Sequence, residues 1–296
     1  MKKITGYLRL MRPANMVTAV ADVLAGIALS GYFTNWQFDF SHFLPVILLV
    51  GSTKLLYGGG VVFNDVFDAD LDRIERPERP IPSGLISYKE AFTLGTVLLL
   101  AGIALAFAVS SIAGFLSVAI SFFALVYNKW GKHQSVLGPV NMGLCRGLNL
   151  LLGVSIVTGA VTNWWFIAFV PIIYIASITM ISRGEVHGSS SKPLYGASFL
   201  YALVIALILF FSFTKQTLLF ALIFLLPFAW MIFKPLLEAI KTPSGPNIGK
   251  SVKAGVISLI VMDAAWVAAT GNFYVAIFVA LLLPISFWLA RMFAVT

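Results

Sequence analysis

Nine consecutive residues, Asn64-Asp65-Val66-Phe67-Asp68-Ala69-Asp70-Leu71-Asp72, hold four of the chain's 12 acidic residues. If they are helical, Asn64, Asp68 and Asp72 recur every four positions and drift only about 40° per step, so three oxygen-bearing side chains line one face. Such a ladder suits a hard cation. Mg²⁺ takes oxygen ligands, keeps waters, and is commonly held by one or two carboxylates together with substrate phosphates. The run continues into Arg73, Arg76 and Arg79, whose guanidinium groups form forked hydrogen bonds to oxyanions. Pro77 and Pro80 stiffen the Arg76–Arg79 stretch into a loop that can cap the site. The chemistry suggested is a cation and a phosphorylated ligand held side by side. An EF-hand fails on spacing: Asp68, Asp70 and Asp72 fit its first three ligand positions, but its sixth is Arg73 instead of Gly and its twelfth Arg79 instead of Glu.

The elements around this run are set by composition. Of 296 residues, 59% are hydrophobic and 11% charged, against roughly 25% charged in an ordinary soluble domain. Apolar stretches close to the length of a membrane-crossing helix recur from end to end. They fall near residues 14–33, 43–67, 90–109, 111–128, 137–159, 163–183, 194–213, 217–236, 250–270 and 272–292. The expected fold is an all-α polytopic membrane bundle of nine to ten spans around a central cavity, forming a single integral membrane domain over residues 1–296. The third and fourth spans, and the ninth and tenth, are joined by so few residues that either pair can include a broken segment. The segment behind the basic N-terminus reads as a retained first span, without a clear small-residue cleavage site.

Seventeen of the 20 Lys and Arg residues fall in alternate loops on one side, Lys215 lies on the other, and Lys54 and Arg146 fall within spans. The excess marks the cytoplasmic side, so both termini and the acidic run are expected there. The net charge of +8 is spread over short loops, not a contiguous stripe. It therefore suits anionic lipid headgroups or a phosphorylated substrate better than nucleic acid.

Charges inside spans need a partner or an aqueous cavity. Asp22 and Lys54 are an expected pair on neighbouring helices. Arg146, on a helix rich in Gly and flanked by Asn141 and Asn149, is expected to line a polar groove, and Asp263 likewise needs a partner or an aqueous cavity. The single cysteine, Cys145, excludes a disulfide framework. Gly58-Gly59-Gly60 lacks the strand context of a dinucleotide fingerprint and reads as close helix packing or a local bend. Lys129 and Lys132 lie equally near the expected mouth of the site.

The pattern Asn64-Asp65-x-x-Asp68-x-x-x-Asp72, followed by Arg79-Pro80-Ile81-Pro82-Ser83-Gly84, resembles the first aspartate-rich motif of the UbiA superfamily of membrane prenyltransferases. Arg12-Pro13-x-Asn15 before the first span and Tyr127-x-Lys129 after the fourth are similar to that family's pattern as well. The resemblance implies a transferase that binds a prenyl diphosphate through Mg²⁺ and passes the prenyl group to a lipophilic acceptor among membrane lipids. On this carry-over Asn64, Asp68 and Asp72 hold metal with Asp65 alongside. Asp68, Asp72 and Glu185 are the expected catalytic residues, and Asn15, Arg73, Arg79, Lys129, Arg146 and His187 the expected substrate contacts.

The second acidic motif of that family, two or more aspartates at the end of the sixth span, is replaced here by Ser182-Arg183-Gly184-Glu185-Val186-His187-Gly188. Only Glu185 is acidic. His187 offers a hydrogen bond or proton transfer more readily than an Mg²⁺ contact. With Gly138-Pro139-x-Asn141-Met142-Gly143-x-x-Arg146-Gly147, this run is similar to EboC-type UbiA-like proteins. The competing function is a carrier or pathway accessory that binds an isoprenoid without transferring it; an unrelated transporter would show an inverted repeat, which the two halves do not display.

Overall fold

The computed structural model describes residues 2–34, 39–134, 137–185, 188 and 190–292. Among them there is no strand. A short helix, α1 (Lys2–Met11), precedes α2 (Pro13–Leu29), α3 (Phe40–Phe67), the short α4 (Ala69–Glu75), α5 (Tyr88–Val109), α6 (Ser111–Lys129) and α7 (Leu137–Val154). Then follow α8 (Ala160–Trp164), α9 (Phe169–Ser182), α10 (Ser191–Thr214), α11 (Leu218–Lys241), α12 (Gly245–Ala269), α13 (Phe273–Ala280) and α14 (Leu282–Met292). Eight stretches of the described residues are long and apolar enough to cross a membrane, with α8 and α9 forming one and α13 and α14 another. With the shorter α2 and the more polar α7, ten helical segments among the described residues occupy the expected spans within a few residues. The last is in two pieces, meeting at Leu281 shortly before Pro284.

The centre of the bundle is α2, buried without interruption from Ala21 to Leu29. It packs on α3, α7, α12 and α14. Its approach to α7 is backbone on backbone: a β-carbon at Gly26 would stand 2.1 Å from the Leu150 carbonyl oxygen, and one at Gly153 would stand 2.1 Å from that of Val23. Small residues are what permit such a crossing where lipid removes the hydrophobic drive between helices. The Gly58–Gly60 run works similarly. A β-carbon at Gly59 would meet Leu99 at 2.8 Å, and the Ser52 hydroxyl donates to the Gly102 carbonyl at 2.7 Å, so α3 and α5 lie tight together.

The turn between α5 and α6 is one extended residue, Ser110, whose hydroxyl accepts from the Ala113 amide at 3.1 Å. With connections this short, alternate helix ends gather at one end of the bundle. There the Ser286 hydroxyl donates to the Ala14 carbonyl at 3.0 Å, and that of Ser191 to the Ile240 carbonyl at 3.3 Å. The acidic run lies at this same end.

Candidate active site

The ladder survives a break in the helix. α3 stops at Phe67 and α4 begins at Ala69, with Asp68 at φ −90°, ψ 0° between them. Even so, the Asp68 amide donates to the Asn64 carbonyl at 3.0 Å and the Asp72 amide to that of Asp68 at 2.8 Å, so the four-residue register is kept. Each side chain of the ladder meets a partner from another segment. Asn64 Nδ2 donates to Asn128 Oδ1 at 3.4 Å, and Asn128 Nδ2 donates in turn to the Gly60 carbonyl at 2.7 Å. Asp68 pairs with the ammonium of Lys132, in the single 3₁₀ turn after α6. Asp72 accepts from Arg79 Nη1 at 2.6 Å.

Asp65 belongs to the same cluster from the side. It is 4% exposed and accepts from Arg12 Nη2 at 2.7 Å and Arg79 Nη1 at 3.4 Å. Three carboxylates, Asp65, Asp68 and Asp72, thus face three cations, Arg12, Arg79 and Lys132, and burying them is tolerable because they are paired.

Local sequence explains how the cations arrive. Arg12 sits at the elbow between α1 and α2 with φ 49°. Pro13 disfavours the right-handed helical conformation for the residue before it, and starts α2 where a missing amide proton costs nothing. Arg79 opens a compact turn in which the Ser83 amide donates to the Arg79 carbonyl at 3.0 Å and the Ile86 amide to that of Pro80 at 2.9 Å. Ile81 and Ile86 are buried, and Gly84 takes φ 74°, a conformation glycine adopts without steric cost. Arg79 itself is 8% exposed, and its Nε–H is buried without an acceptor among the described residues.

Several expected contacts lie elsewhere. Arg73 pairs with Asp70 at 3.1 Å on the outer side of α4, where both are exposed. Lys129 is exposed, 4.8 Å over the Trp130 ring, and Lys132, three residues on, takes the place at Asp68. Asn15 is half-buried in the first turn of α2, and its backbone carbonyl accepts from Thr18 Oγ1 at 2.7 Å. Glu185 is exposed in the turn after α9, beside Gly249 of α12. That turn is tied to the Lys132 loop, since Arg183 Nη2 donates to the Gln134 carbonyl at 3.1 Å. His187 lies outside the described residues.

The expected Asp22–Lys54 pair does not form. Lys54 is exposed, and Asp22 instead pairs with Arg146. Arg146 also donates to Thr18 Oγ1, and Asn149 Nδ2 donates to Asp22 at 3.0 Å while its Oδ1 accepts from Thr53 at 2.7 Å. The close crossing of α2 and α7 puts Asp22 against α7, whereas Lys54 turns outward from α3. Arg146 is therefore a member of a buried polar knot. Among the residues at the acidic site, Arg12 is legible in the sequence only through its Arg-Pro motif. Asn128 carries no signal there beyond its place between Tyr127 and Lys129.

Mg²⁺ fits the donor set as an ion completed by substrate. Among the described residues no three His, Cys, Asp or Glu side chains form a ready cage, but Mg²⁺ commonly takes one or two carboxylates and fills its shell with water and phosphate oxygens. The Asp68 carboxylate, 19% exposed and bound to a single ammonium, is a hard oxygen donor of that kind, with the Asn64 amide one turn away.

The model of the UbiA prenyltransferase family matches residues 23–245, a stretch that contains the acidic ladder and the Arg79 turn. The chain belongs to that family. Among curated relatives, the digeranylgeranylglyceryl phosphate synthase of Methanosarcina mazei is 36% identical over 159 residues, covering 52% of this chain and 55% of that one. The synthase of the same name from Saccharolobus solfataricus is 29% identical over 178 residues, covering 60% of each. The chain thus spans a little over half the length of these relatives. A UbiA homologue from Archaeoglobus fulgidus solved with GPP and Mg²⁺ superposes with a TM-score of 0.63 at 17% identity, over 84% of this chain and 99% of that one. A structure described for digeranylgeranylglyceryl phosphate synthase in membranes gives a TM-score of 0.68 at 24% identity, over 92% of this chain and 100% of that one. Both show that this UbiA-family chain has the UbiA fold.

Proposed function

We propose that this protein transfers a prenyl group from a prenyl diphosphate to a lipophilic acceptor in an Mg²⁺-dependent reaction. The observation that carries the reading is the buried Nε–H of Arg79, without an acceptor among the described residues, within a cluster whose three carboxylates are balanced by three cations. A diphosphate supplies the acceptor oxygens that this donor lacks. Asn64 and Asp68 would hold Mg²⁺, with Asp72 and Asp65 able to join when Arg79 and Arg12 turn to phosphate. The ion, when bound, neutralises charge on the leaving diphosphate. Arg79, Arg12 and Lys132 orient the diphosphate by charge-assisted hydrogen bonds, and the apolar helices around them exclude water from the allylic carbon. Glu185, on the turn tied to the Lys132 loop, is the acidic side chain available to take a proton from the acceptor. The names of the matched relatives support an acceptor bearing a glyceryl phosphate.

The test is the purified full-length protein with labelled prenyl diphosphates of several lengths and a lipid extract, with and without Mg²⁺. Metal-dependent diphosphate release that disappears in Asp68→Ala and Asp72→Ala is the expected result. Retention of an isoprenoid without any release, unchanged by those substitutions, would make the protein a carrier instead. The excess of basic residues supports a cytoplasmic position for this end. In a Cys145→Ser background, Arg73→Cys should then react with an impermeant thiol reagent only from the cytoplasmic side, and Lys215→Cys only from the other.

A further inference from the structure

At the same end of the bundle, but on its flank, α11, α12 and α14 enclose a groove of about 310 Å³. Lys234, Lys250 and Lys253 line it together with Trp230, Ile257 and Phe287. Lys250 and Lys253 are one turn apart on α12, and Lys234 faces them from α11, its ammonium 5.0 Å from the centre of the Trp230 ring. All three lysines are exposed, and none takes part in an ion pair among the described residues. Trp230 lies one turn deeper than Lys234 and Ile257 one turn deeper than Lys253, so cations stand above an apolar floor. Trp230 and Phe287 are 64% and 43% exposed. Pro235 cannot donate to the Met231 carbonyl, which leaves that oxygen without its usual helical donor beside the groove.

We propose that this groove binds an anionic phospholipid, its phosphate on the three lysines and one acyl chain along Trp230, Ile257 and Phe287. The charge is complementary: lysines near the membrane surface attract anionic headgroups, and tryptophan favours the same interfacial depth. A soluble anion would leave the apolar floor uncovered, and a zwitterionic lipid would meet the lysines with a cation of its own.

Delipidated full-length protein titrated with dioleoyl phosphatidylglycerol or dioleoyl phosphatidylcholine, with bound copies counted by native mass spectrometry, tests this directly. Preference for the anionic lipid by about tenfold is expected, falling to near parity in Lys234→Gln/Lys250→Gln/Lys253→Gln and unchanged in Lys241→Gln. Undiminished preference in the triple variant, an equal loss in Lys241→Gln, or displacement of the lipid by equimolar inorganic phosphate would overturn the proposal. A second readout does not depend on the folding of the triple variant. Phosphatidylglycerol brominated on its acyl chains should quench wild-type fluorescence more than that of Trp230→Phe, and quenching identical in the two would exclude an acyl chain at Trp230.

Discussion

The acidic site depends on which cation meets which carboxylate, and neighbouring residues of one type differ sharply. Lys132 pairs with Asp68, while Lys129 stacks on Trp130. Arg79 bridges Asp65 and Asp72, while Arg73 holds Asp70 at the surface. Arg79→Lys should keep the fold but lose the Nε–H and the forked geometry. The expected result is a rise of about tenfold or more in the KM for prenyl diphosphate, measured by release of diphosphate. Lys129→Gln should leave that KM within about twofold, because its ammonium lies over the Trp130 ring and makes no ion pair with the cluster among the described residues. If the two substitutions act alike, the assignment of roles within the basic set is wrong.

Helices position these side chains through two kinds of glycine, and their substitution separates them. Gly26 touches backbone on α7, so Gly26→Ala must push two helices apart and should cost about 1–3 kcal/mol. Gly84 has open space around it but a φ of 74°, so Gly84→Ala carries only the conformational cost, about 1 kcal/mol. Thermal unfolding in detergent should rank the two in that order. Gly84→Ala should also weaken diphosphate binding, since the turn it closes carries Arg79. A larger loss of stability at Gly84 than at Gly26 would contradict the close crossing of α2 and α7.

Across the whole molecule, the knot of Asp22, Arg146, Thr18, Asn149 and Thr53 joins α2, α3 and α7 in the interior. Removing one member of a buried ion pair leaves the other uncompensated, at about 3–5 kcal/mol. Arg146→Met should therefore unfold the protein at markedly lower temperature, and Asp22→Asn/Arg146→Met should recover part of the loss. Additive losses in the double variant would show that the two residues are not coupled. The knot is distinct from the ladder, which lies at the end of the bundle.

Composition and periodicity alone determined the all-helical membrane bundle, its spans and the end at which the acidic ladder lies, because a chain in lipid must satisfy its backbone within each helix and so writes each span as a local apolar run. The spacing of Asn64, Asp68 and Asp72 likewise survived the break at Asp68, because hydrogen bonds four residues apart carry the register through it. Only the tertiary structure decided the partners: Asp22 with Arg146 and not Lys54, Asp68 with Lys132 and not Lys129, and Asp65 with Arg12. Those choices follow from which helices cross and how closely, a matter of contacts between residues 53 to 124 positions apart, and no local pattern encodes them.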